Sequence, residues 1–171
     1  AHVLVEKPLA ATVQEVRSIR EEEKRSGRVV GVGFQDIYAP ETHLMKRLIL
    51  EGAIGELVSA RGWGMWPRNR DYFNRNEWAG RLRSEKRWIL DSPLNNAMAH
   101  FLNLILFLCG ERFEISAMPK HVQAELYRAK NIESFDTASI RAVTASDVPM
   151  LFYATHSCTE KLEPEIVIDG S

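Results

Sequence analysis

Asn96, His100 and Asn103 interrupt a largely apolar run between Pro93 and Cys109. Spaced four and three apart, they fall on one face of a helix. An imidazole and two amides buried there without partners cost about 1–3 kcal/mol each, so that face must meet something polar. Either the three belong to a satisfied internal hydrogen-bond network, or they line a cleft. In a cleft, His100 is the group whose ordinary pKa lets it accept and return a proton near neutrality. Asn96, one turn earlier, then orients His100 or a substrate hydroxyl, and Asn103 extends the same polar line toward the substrate.

Lys7 is the second residue with chemical promise. It follows the apolar run Val3-Leu4-Val5, which reads as a buried parallel strand covered on both faces. Open α/β sheets hold their ligands at the carboxyl ends of such strands. A cation there favours an oxygen that is losing its proton, and partial burial makes its own pKa adjustable. The plainer alternative is a lysine paired with Glu6 at the surface. A third stretch, Arg68 to Trp88, mixes Arg68, Arg70 and other cations with Tyr72, Phe73, Trp78 and Trp88. Flat side chains stack on sugar faces and a guanidinium forks onto a carboxylate or phosphate, while packing on the sheet or forming an oligomer interface accounts for the same composition.

The elements that must position these residues follow from periodicity and punctuation. Leu9 to Arg25 reads as a helix, with Thr12 as N-cap, Glu15 completing a capping box and Gly27 closing it. Val29 to Phe34 is the second strand of a βαβ unit, and Gly31-x-Gly33 lies inside that strand, where it makes no dinucleotide fingerprint. Glu41 to Glu51 reads as a short amphipathic helix with Leu44, Met45, Leu48 and Ile49 on its apolar side. Glu56 to Trp66 reads as an antiparallel strand, Arg68 to Leu90 as a long functional loop, and Ser92-Pro93 as the start of a helix ending at Gly110. Phe113 to Val122, Ser134 to Thr144, Pro149 to Ser157 and Pro164 to Asp169 are strands, two of them joined by Ala145-Ser146-Asp147. A first strand with none before it, and a last one ending just short of Ser171, suggest a chain that starts and stops inside domains.

Composition narrows the function classes. With 171 residues, 45% of them hydrophobic, the chain can bury one domain and a fragment of another. A net charge of −1 gives no pull toward nucleic acid or an anionic membrane, and no apolar run reaches the roughly 20 residues of a membrane span. Cys109 and Cys158 make no disulfide framework and suit a reducing compartment, so the cytoplasm is the expected location, with export left open. His43, His121 and His156 have no ligand-like spacing, and no metal is assigned.

Glu6-Lys7-Pro8, Val30-Gly31-Val32-Gly33-Phe34 and Gly52-Ala53-Ile54-Gly55-Glu56, in that order, resemble the glucose–fructose oxidoreductase and inositol dehydrogenase (Gfo/Idh/MocA) family of NAD(P)-dependent enzymes. The resemblance implies an α/β (α+β) architecture. Residues 1–34 would be the C-terminal remnant of a Rossmann domain. Residues 35–171 would form a substrate and oligomerisation domain whose open, mainly antiparallel sheet is backed by helices and mediates homo-oligomerisation. It implies NAD or NADP as cofactor of the full-length protein, with Glu6, Lys7 and Pro8 at the cofactor edge and a cis peptide before Pro8. By the resemblance Lys7 would orient the reacting hydroxyl of a sugar or cyclitol; the reading of the residues themselves adds Arg68, Arg70 and Trp78 of the loop, and Asn103, as substrate contacts, with one or more of the loop arginines selecting an acidic substituent. His100 would be the catalytic histidine. Where the family usually has an aspartate four residues before that histidine, this sequence has Asn96, which keeps the shape and loses the charge. Two alternatives stand beside hydride transfer by the intact protein: a non-catalytic relative used for ligand binding or oligomerisation, and an NAD-dependent glycoside-cleaving enzyme. The 171 residues alone are expected to be inactive.

Overall fold

The computed structural model describes residues 1–171. β1 (Val3–Val5), α1 (Val13–Ser26) and β2 (Val30–Val32) form a βαβ unit in which Val3 lies opposite Val30 in parallel register. The capping box is formed: the Glu15 amide donates to Thr12 Oγ1 at 3.3 Å and the Thr12 amide donates to Glu15 Oε2 at 2.9 Å. Gly27 ends α1 at φ +64°. The expected burial of β1 on both faces does not hold, since Leu4 is 81% exposed and Val3 49%. A ribbon of two strands beside one helix has only one face to bury.

After a 3-10 turn over Gln35–Tyr38 comes α2 (Pro40–Leu50), whose amphipathic expectation is inverted. Leu44, Met45 and Leu48 are exposed, whereas Thr42 and Lys46 are buried. The cause is α4 (Ala99–Leu108), against which α2 rests. Its last carbonyls have no helical donors, and Lys46 Nζ supplies them, donating to Phe107 O at 2.6 Å and also to Leu108 O and Gly110 O.

β3 (Leu57–Met65) runs through the interior of a five-stranded sheet, so the purely antiparallel expectation is only half right. The segment that follows it, read above as an irregular loop, contains the short helix α3 (Arg70–Asn74) and the small hairpin of β4 (Arg83–Ser84) and β5 (Arg87–Trp88). Asn69 Oδ1 caps α3 by accepting from the Tyr72 amide at 3.0 Å. Arginines stacked on rings hold the rest, with Arg75 3.5 Å from the Tyr72 centroid and Arg83 3.5 Å from that of Trp88. The helix expected from Ser92-Pro93 begins instead at Ala99. Ser92–Met98 forms turns, with Ser92 Oγ accepting from the Asn95 amide at 3.2 Å. Asn96 explains the delay, because its side chain and carbonyl are engaged by other residues, and such bonds compete with a helical ladder.

β6 (Pro119–Tyr127), β7 (Thr137–Thr144), β8 (Pro149–Thr155) and β9 (Leu162–Gly170) complete the sheet in the order β6-β7-β8-β3-β9. All pairings are antiparallel except β3 with β8, where Ala60 lies opposite Met150. The core gathers on one face: Met98, Ile105 and Cys109 pack on Ala60, Ala142, Met150, Phe152 and Ala154. Gly64 lets α4's first turn approach, because a Cβ there would lie 3.0 Å from Met98 Sδ. Arg61, Arg141 and Tyr153 are exposed on the opposite face. No helix is long and apolar enough to cross a membrane.

Gly80 anchors the segment between β3 and α4. It has φ +71°, and a Cβ would lie 2.9 Å from Phe73 Cδ1 and 3.1 Å from Ile132 Cβ. Gly80→Ala therefore combines left-handed backbone strain with overpacking and lowers stability by about 1–3 kcal/mol in urea unfolding; an unchanged midpoint would contradict this.

Candidate active site

The candidate site lies where β1 meets the turn before α4. Lys7 Nζ donates to Asn96 O at 2.7 Å and to Asn96 Oδ1 at 3.2 Å, not to Glu6 in a surface pair. Asn96 Nδ2 donates in turn to Asp91 Oδ1 at 2.9 Å, and Asp91 Oδ2 accepts from the Gly80 amide at 2.7 Å. Burial lowers the Lys7 pKa, with Asp91 and then Glu6 acting against that fall. An ammonium has three donors; two are held by Asn96, which leaves one for an oxygen in the site.

His100 stands one turn further along α4. Its ring is half-buried, 5.7 Å from Phe34 in edge-to-face contact. Nδ1 is buried without a hydrogen-bond partner, and Asp36 Oδ2 lies 3.7 Å from it. Burial lowers the His100 pKa; Asp36 raises it, Lys7 lowers it and Glu6 raises it. The charges of Lys7 and His100 thus act on each other, and an imidazole held neutral beside an ammonium is a base next to an electrophile. That pair can take a proton from a hydroxyl while stabilising the oxygen left behind.

The remaining candidates divide. Asn103 Nδ2, one turn beyond His100, is also buried and unpartnered. Glu6 is exposed, and the Lys7–Pro8 peptide is cis. Arg68, Arg70 and Trp78 make no hydrogen bond or ion pair to Lys7, Asn96 or His100. Arg68 stacks 4.5 Å from the Tyr72 ring centroid, and its Nε is buried without a partner. Arg70 lines a separate cavity of about 520 Å³ with Phe73, Asn74, Lys130, Asn131 and Ile132. Trp78 is 40% exposed, with the Arg75 guanidinium 5.1 Å from its centroid.

Residues 42–171 match the family model of the GFO/IDH/MocA C-terminal domain. The chain belongs to the GFO/IDH/MocA family. Among curated relatives it is 29% identical to the levoglucosan dehydrogenase of Pseudarthrobacter phenanthrenivorans over 117 residues, covering 68% of this chain and 29% of that protein. It is 42% identical to the inositol 2-dehydrogenase of Rubrobacter xylanophilus over 62 residues, covering 36% and 18%. Among solved structures, the WlbA dehydrogenase of Bordetella pertussis, in complex with NADH and UDP-GlcNAcA, superposes with a TM-score of 0.84 at 22% identity, over 99% of this chain and 49% of that one. The chain therefore spans about half the length of that structure, and its matches span less than a third of the curated relatives.

Two carboxylates in this GFO/IDH/MocA chain escaped the reading of the sequence. Asp91 directly precedes Ser92-Pro93, where the capping signal drew notice to its neighbour. Asp36 had one usable signal, its place just past the carboxyl end of β2, at the edge where such sheets take ligands. No group of three or more His, Cys, Asp or Glu side chains gathers in metal-holding geometry. Burial pushes the Cys109 thiol up to about 11, as expected of an inert buried cysteine.

Proposed function

We propose that the intact protein transfers a hydride between NAD or NADP and a secondary alcohol of a sugar or cyclitol derivative. The observation that supports this reading is that Lys7, from the segment after β1, donates to Asn96 four residues before His100, so that two different elements bring a cation and an imidazole to the same stretch of chain. His100 takes the hydroxyl proton, Lys7 holds the oxygen as its negative charge grows, and Asn96 fixes Lys7 from behind. Nicotinamide, when bound, supplies the hydride acceptor. β1 and β2 fit that role, being adjacent parallel strands that present Lys7 at their carboxyl edge. The 171 residues contain no Gly-x-Gly-x-x-Gly turn for a pyrophosphate. On this reading residues 1–34 belong to the nucleotide side and 35–171 to the substrate side. The names of the relatives, sugar and inositol dehydrogenases, support the same class. The cations of the segment between β3 and α4, Arg68 and Arg70 among them, would select an acidic group on the substrate, and the exposed sheet face around Arg61, Arg141 and Tyr153 supports assembly with further copies of the chain.

The neutral Asn96 favours a second reading, a relative that binds ligands without turnover. Initial rates of NAD⁺ and NADP⁺ reduction by the full-length protein, against sugars, cyclitols and their uronic acids, separate the two. Turnover of at least one alcohol, faster for an acidic one, is expected. Tight nucleotide binding with no reduction of cofactor would overturn hydride transfer in favour of the second reading.

A further inference from the structure

We infer that Asp36 is the positioning residue of His100, the carboxylate that closes on Nδ1 when the imidazole takes up a proton. The inference rests on the proposed function and deepens it. His100 Nδ1 is buried and unpartnered, and the acid within ion-pair reach of it is Asp36, at 3.7 Å. The Asp36 carboxylate is uncommitted, since neither oxygen meets a backbone amide, hydroxyl or other cation, and the Ala39 amide donates only to its backbone carbonyl, at 3.4 Å. Asp91, by contrast, is fully engaged by Asn96 and Gly80. Asn96 is neutral and committed to Lys7 and Asp91. When His100 accepts a substrate proton, an imidazolium forms beside the Lys7 ammonium, and those like charges oppose it. The groups acting on His100 are Asp36 from the 3-10 turn after β2 and Lys7 and Glu6 from the segment just after β1. Of the two acids, Glu6 is exposed, so Asp36 is the one placed to compensate.

A shift of less than one ångström brings the pair into hydrogen-bond range, as catalytic contacts commonly tighten on substrate binding. With Nδ1–H donating to Asp36, the other ring nitrogen, Nε2, is the free acceptor for the hydroxyl proton. Asp36 makes and breaks no covalent bond: the alcohol O–H bond breaks as the Nε2–H bond forms, and Asp36 stays ionised.

Asp36→Asn tests this. In the full-length enzyme, kcat/KM is expected to fall about 10-fold or more, with its acid limb moved to lower pH, because losing the carboxylate lowers the His100 pKa; KM should change little. In the full-length protein without cofactor, NMR titration should show the His100 ring, identified by the resonance missing in His100→Ala, titrating at lower pH in Asp36→Asn. A rate loss spread evenly over pH with an unmoved acid limb and an unmoved His100 titration would overturn the role of Asp36. If His100→Ala itself retained full turnover, the proposed function would fail, and with it the context for Asp36; the two failures are therefore distinct.

Discussion

His100→Ala in the full-length protein is expected to lower kcat by about 10²-fold or more, and Lys7→Ala by a similar factor. Positioned acid–base groups contribute on that scale, and stabilising a developing oxyanion contributes comparably. On the proposed mechanism the two residues act on one O–H bond, His100 on its proton and Lys7 on its oxygen, so their contributions would not be independent. The double variant should lose clearly less than the product of the two single losses. Single-turnover rates of cofactor reduction measure all three. Near-normal turnover of either single variant would remove that residue from the mechanism, and strictly multiplicative losses would place the two side chains in separate steps.

Lys46→Met should be the most damaging substitution outside the site. It leaves the carbonyls at the end of α4 without the donor that the fold supplies, at a cost of about 2–4 kcal/mol. Burial lowers the Lys46 pKa from 10.5 to about 8, with Cys109 opposing. A lysine whose pKa falls on folding holds fewer protons in the native state above about pH 8, so wild-type stability should rise with pH there. Cys109 has the opposite sign. Its thiol titrates near 11 instead of 9, so the native state holds the extra proton above pH 9 and stability is lost. Urea midpoints should therefore climb between pH 8 and 9 and flatten beyond, and Lys46→Met should abolish the climb and leave the decline. A midpoint that falls between pH 8 and 9 in the wild type would contradict this assignment.

Where the local signal was strong, it could be read directly. Thr12 and Glu15 with Gly27 bounded α1, the apolar runs located the strands, and a largely apolar run carrying His100 and Asn103 singled out α4. What escaped depended on partners far along the chain. Lys46 looked like the polar side of an amphipathic helix, and only α4's carbonyls, more than sixty residues away, turn it inward. Asn96 looked like the first turn of a helix until Lys7 and Asp91 drew it into a turn. Lys7 and His100 were paired through the family resemblance, because nothing in their spacing places them together, and the two neighbouring acids carried no pattern that periodicity could detect.

The Lys7 ammonium makes the only side-chain hydrogen bonds that run from residues 1–34 to the rest of the chain. On the proposed division and mechanism, the clasp between the two parts is the same atom that a substrate oxygen would meet. A hinge-like opening between them would withdraw the cation and detach it from Asn96 in one movement, so that under the proposed mechanism closure and readiness for reaction would be a single event.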